Sequence, residues 1–184
     1  AGQGRGGQAV YRVGAWGVVA AVWRWAGAGR GAPGAVQPAC DAHGGGSEGM
    51  YAARLGRERA GGMNPFAVMM EAGLALAFGS DTPVTPFAPW EAISACVNHH
   101  DPAQRISAPS AFLAHTRGGW RAAGIDDRGY LDLGQPASFA VWSAGNDSSS
   151  CRPGLPDLSP GATLPTALRT VVRGRTVFDS LGVS

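Results

Sequence analysis

Few side chains in this sequence combine reactive type with suggestive placement, and Asp81 is the first of them. It closes the run "LALAFGSD" (Leu74 to Asp81) and stands directly before the proline-punctuated "TPVTP". The apolar run lacks polar alternation, which predicts a strand covered on both faces, as in a parallel sheet. A carboxylate at the C-terminal end of such a strand lies on the edge where α/β sheets and barrels hold their ligands. There it can act as a general base or ligate a divalent metal. The same "SDTP" text also suits a turn in which the Asp side chain bonds its own backbone, so local pattern leaves both roles open.

The other candidates are weaker. His99 and His100 are neighbours before Asp101, and adjacent side chains on a helix point about 100° apart, a poor geometry for holding one metal. A favourable contact with the helix C-terminal dipole is the expectation for them. His115 reads as a packing or surface histidine within a helix. His43 sits in a Gly-rich loop near Cys40 and Asp41, with no second partner at ligand spacing. Cys40, Cys96 and Cys151 are odd in number, widely spaced and without a CxxC pair. That argues against a disulfide framework or zinc ribbon and predicts a reducing, cytoplasmic setting. The sequence contains no GxGxxG after a strand and no P-loop.

Composition bounds the partners. The chain has 184 residues, 45% hydrophobic and 15% charged, enough for one sizeable core. All 15 basic residues are Arg, alongside 29 Gly, a bias that GC-rich coding produces without nucleic-acid binding. A net charge of +2 agrees, since polyanion binders concentrate basic residues on one surface. Nucleic acid is therefore not an expected partner. The apolar stretch "GAWGVVAAVW" is ended by Arg24 after about ten residues, half of what a membrane helix needs, so no membrane association is expected.

The elements that must position Asp81 follow from the punctuation. "AVQP" reads as a short strand and "HGGGSEG" as a loop. A helix is predicted over "MYAARLGRERA" and another over "NPFAVMMEAG", capped by Asn64 and stopped by Gly73. "PWEAISACVNHH" supplies a helix with Trp90, Ile93 and Val97 on one side. Ser107 is the N-cap of a helix running to about Arg117. Beyond it, residues 129–143 and 168–179 read as two β-hairpins separated by a Ser/Pro/Gly loop. Residues 1–33 hold neither period and stand apart as an atypical Gly/Arg/Trp-rich segment.

Taken in order, "VQPACD", "MYAARLGRERAGGMNPFAVMMEAG", "LALAFGSDTPVTPFAPWEAISACV", "RISAPSAFLAHTRGGWRAAG", "RGYLDLGQPASFAVWS" and "LRTVVRGRTVFD" resemble the C-terminal portion of a metal-dependent amidohydrolase of the family 3 type. The resemblance runs from about Gly34 to Asp179. It implies an α/β fold, the C-terminal part of a (β/α)8 TIM barrel left incomplete, with the last βα units in residues 34–125 and strands of a small β-sandwich in residues 126–184. It implies further that Asp81 ligates or adjoins a divalent metal, commonly zinc, and is the general base for the water that attacks a carbon–nitrogen bond of a small-molecule substrate.

This chain departs from that pattern. The family's HxH pair is absent, no lysine can bridge metals, the later histidine-bearing strands are not found, and Ser138 follows Ala137 where relatives read Ala-Asp. The expectation is a portion that is inactive alone and associates through unpaired barrel edges. A competing reading is a non-catalytic remnant or interaction module with a Gly/Arg-rich, RNA-contacting tail. Residues 1–33 also read as text from another frame of GC-rich DNA or a misassigned start, given the abrupt loss of periodicity.

Overall fold

A computed structural model describes residues 34–143 and 154–182 of the chain. Both the atypical segment 1–33 and Cys151 lie outside them.

Strand β1 (Gly34–Val36) and strand β2 (Leu76–Phe78) pair in parallel, Gly34 opposite Leu76 and Val36 opposite Phe78. All three side chains of β2 are buried, as the uninterrupted apolar run predicts. Four short helices connect the strands: α1 (Ala39–Gly44), α2 (Met50–Leu55), α3 (Arg57–Gly61) and α4 (Phe66–Glu71). The single helix expected over "MYAARLGRERA" is split in two by Gly56, whose φ of 83° glycine alone adopts without strain. Helix α4 ends as predicted at Gly73. The Gly73 N–H donates to Met70 O at 2.9 Å and the Leu74 N–H to Met69 O at 3.0 Å, a Schellman closure that turns the chain into β2.

After β2 come α5 (Pro89–Val97), a 3-10 turn (Pro102–Gln104), α6 (Ala108–His115) and α7 (Arg117–Ala122). Ser107 caps α6 as predicted, its hydroxyl accepting from the Ser110 N–H at 3.2 Å. Helices α6 and α7 pack against β2. Gly118 permits the closest approach, because a Cβ there would stand 2.2 Å from the Leu76 carbonyl oxygen. The core joins Val36, Phe66, Met69, Phe78, Ile93 and Cys96. No helix among the described residues is long and apolar enough to cross a membrane.

A second sheet holds β3 (Phe139–Trp142), β4 (Ala167–Val172) and β5 (Arg175–Asp179) in antiparallel order β3-β4-β5. The predicted β4–β5 hairpin is present, turning through Arg173 (φ 51°) and Gly174 (φ 79°), positive φ values that suit a two-residue hairpin. The hairpin expected over residues 129–143 is not formed. Residues 129–138 turn without strand pairing, with Leu131 and Leu133 exposed, and Pro136 has no N–H to enter a ladder. Strand β3 pairs with β4 instead, while Trp142 meets Trp90 of α5 edge-on at 5.9 Å and ties this sheet to the helices.

Candidate functional site

The parallel pairing brings the chain segments leaving β1 and β2 side by side. The Gly79 N–H donates to Val36 O at 3.0 Å, carrying the ladder one residue past β2. Asp81 follows as an exposed residue in left-handed backbone (φ 60°), which Asp tolerates better than most side chains. Its carbonyl accepts from the Val84 N–H at 2.8 Å, so Asp81 also opens a turn. The carboxylate itself caps nothing in that turn. Its Oδ2 lies 3.9 Å from the Sγ of Cys40, in the first turn of α1 beyond β1. The Tyr51 hydroxyl of α2 acts on the Cys40 thiol as well. Burial raises the Cys40 thiol pKa; Tyr51 opposes this and the carboxylates of Asp81 and Asp41 add to it.

Next to Cys40, Asp41 is the centre of a buried polar cluster. Its Oδ1 accepts from Asn64 Nδ2 at 3.2 Å and lies 2.9 Å from His100 Nδ1 and 3.4 Å from His99 Nε2. Asn64 does not cap α4 as its position suggested. Its side chain is committed to Asp41, and Pro65 occupies the cap position without a side-chain bond. The pair His99 and His100 likewise does more than meet a helix dipole.

One carboxylate oxygen and two imidazole nitrogens here lie within 4.8 Å of one another, close enough to hold a metal ion by distance. The protons argue for another role. His100 Nδ1 faces Asp41 and its Nε2 faces the Gly61 carbonyl at 3.1 Å, two acceptors that favour the protonated ring. Burial alone would lower the His100 pKa, but the bonds to Asp41 and Gly61 outweigh it and raise the value. His99 Nδ1 lies 3.0 Å from the Asp101 N–H and 3.2 Å from the Asp101 carbonyl, and its Nε2 faces Asp41 over a long contact. Burial lowers the His99 pKa. The ring nitrogens of both histidines thus already face protein groups, namely Asp41, the Gly61 carbonyl and the Asp101 backbone. Asp81 fits a cation better: it is an exposed carboxylate with no ion-pair partner among the described residues.

His43 stands at the end of α1 with its Nε2 3.8 Å from Glu91, both side chains about half exposed (51% and 47%). His115 packs edge-on to Phe78 at 6.4 Å, as a packing histidine should, although its buried Nε2 has no hydrogen-bond partner among the described residues. Sequence reasoning missed Asp41. A signal for His99 was present, since Ala92, Cys96 and His99 recur at i, i+4 and i+7 and all three are fully buried.

A family model described as the amidohydrolase family matches residues 26–178. The chain belongs to this family. Among solved structures, this amidohydrolase-family chain is similar to an uncharacterized metal-dependent hydrolase from Pyrococcus furiosus, with 25% identity and a TM-score of 0.61 over 70% of this chain and 27% of that one. It is similar in fold to the atrazine chlorohydrolase TrzN from Arthrobacter aurescens, solved with zinc, at 21% identity and TM-score 0.62 over 91% of this chain and 36% of that one. An adenosine deaminase from Xanthomonas campestris with bound zinc gives 18% identity and TM-score 0.58 over 89% and 36% of the two chains. No curated protein matches. The chain therefore spans roughly a quarter to a third of the length of these amidohydrolase structures.

Proposed function

We propose that this chain is the C-terminal part of a metal-dependent hydrolase acting on non-peptide carbon–nitrogen bonds, and that the 184 residues have no turnover alone. One observation carries the reading: an exposed carboxylate, Asp81, with no ion pair among the described residues, stands where two parallel strands end together. A divalent ion, zinc by likeness to the zinc-bound neighbours, would supply the Lewis acidity that makes water reactive near neutral pH. Asp81 would bind that ion and accept the proton of the attacking water at its carboxylate, then return it to the departing nitrogen. Substrate-shaping loops and the remaining metal ligands would come from the rest of a (β/α)8 barrel. Strands β3 to β5 would belong to a small β-sandwich. Two parallel strands leave barrel edges unpaired among the described residues, so association through those edges is part of the proposal.

Zinc analysis of the purified chain after gel filtration, beside Asp81→Asn and with an assay on small amides and cyclic ureas, tests this. The expected result is zinc retained by the wild-type chain, lost from Asp81→Asn, and no turnover by either. Equal zinc in both would overturn the role of Asp81. Turnover by the isolated chain, abolished in Asp81→Asn, would overturn the inactivity.

A further inference from the structure

We propose that Cys40 is a ligand to the same metal, so that its thiolate and the Asp81 carboxylate form one sulfur–oxygen half-site. The proposal rests on the hydrolase reading above. The two side chains are far apart in sequence but leave neighbouring strands at the same end of the parallel pair.

Their separation decides between two roles. At 3.9 Å, the Sγ to Oδ2 contact is at the outer limit of a thiol–carboxylate hydrogen bond. A zinc ion holds sulfur at about 2.3 Å and a carboxylate oxygen at about 2.1 Å, which sets the two ligand atoms about 3.6 Å apart at the tetrahedral angle and about 3.9 Å apart at roughly 125°. One ion therefore fits between them without backbone movement. The exposed carboxylate leaves the approach open from solvent, and Tyr51 is placed to donate a hydrogen bond to the sulfur once it is charged. Behind Cys40, Asp41 is held by Asn64 and His100, which anchors the first turn of α1 and so the direction of the thiol.

Ligation is a proton exchange with no redox step. The S–H bond breaks, the proton leaves to solvent, and the sulfur lone pair binds the cation. A divalent cation deprotonates a coordinating thiol outright. A mixed thiolate and carboxylate set favours zinc, cadmium and cobalt over magnesium and calcium.

Cadmium and cobalt added to the purified chain are the probes. A thiolate-to-metal absorption band is expected in the wild type and in Cys151→Ser, and its loss in Cys40→Ser. Zinc should also slow iodoacetamide alkylation of Cys40, mapped by peptide mass spectrometry, and Asp81→Asn should weaken cadmium binding roughly tenfold or more. Zinc binding that depends on Asp81 but gives neither band nor protection would overturn the role of Cys40 and leave the hydrolase reading standing. A band that survives in Cys40→Ser would do the same. Absence of any metal binding by the wild-type chain would overturn both.

Discussion

His100 Nδ1 lies 2.9 Å and 3.0 Å from the two oxygens of Asp41, whose side chain is 3% exposed, and the other face of the imidazole donates to a backbone carbonyl. Its neighbour His99 lies beside it with ring centroids 4.2 Å apart, and the two pKa values move in opposite directions, His100 up and His99 down. This arrangement makes stability depend on pH in both directions.

The raised His100 pKa contributes stability that is complete below the ordinary value of 6.5 and is lost as pH rises through the folded-state value. The lowered His99 pKa has the opposite sign, with stability lost as pH falls below 6.5. Urea midpoints followed across pH should peak near neutrality. His100→Gln should flatten the alkaline limb and leave the acid limb; an unchanged alkaline limb would refute the coupling of His100 to Asp41.

Two adjacent glycines in α7 should respond with opposite signs. A Cβ on Gly118 would meet the Leu76 carbonyl oxygen at 2.2 Å and Ala77 Cα at 3.0 Å, both backbone atoms that cannot move aside. Gly118→Ala should cost about 1–3 kcal/mol, through strain between α7 and β2. Gly119 has open space around it and lies in the same helix, so Gly119→Ala should stabilise by roughly 0.5–1 kcal/mol. Thermal unfolding of the two variants measures the contrast.

Ser138 explains why the second sheet survives a departure from the usual Ala-Asp text. Its Oγ accepts from the Arg173 N–H at 2.9 Å, tying β3 to the β4–β5 turn. An acceptor is all that this turn requires of position 138. Ser138→Ala should lose about 1 kcal/mol of stability and Ser138→Asp should lose none, by thermal unfolding.

The Gly73 stop, the Ser107 cap and the β4–β5 hairpin were legible because each is dictated by residues a few positions apart. So was the placement of Asp81 at a strand end. The Asp41 cluster was not, since it joins residues 23 and 59 positions apart through side chains whose burial no local period reports. Asn64 shows the limit well: a cap residue by type, it is drawn away by a buried carboxylate that satisfies it better. The misread hairpin at residues 129–143 has a similar cause. Alternation there suggested two strands, but only residues 139–142 find a partner, and that partner lies beyond a Ser/Pro/Gly loop.

Asp81 separates function from stability. It is exposed, makes no ion pair among the described residues and contributes no side-chain bond to the turn that it opens. Asn tolerates the same left-handed backbone, so Asp81→Asn should shift unfolding free energy by less than about 0.5 kcal/mol while abolishing zinc retention. Asp81→Val removes the same carboxylate but forces a β-branched side chain into φ 60°, which should cost about 1–3 kcal/mol more. Equal loss of zinc in both variants, with loss of stability in Val alone, assigns the carboxylate to the metal and the backbone to the turn. A chain in which Asp81→Asn unfolds as readily as Asp81→Val would instead make Asp81 a structural acid.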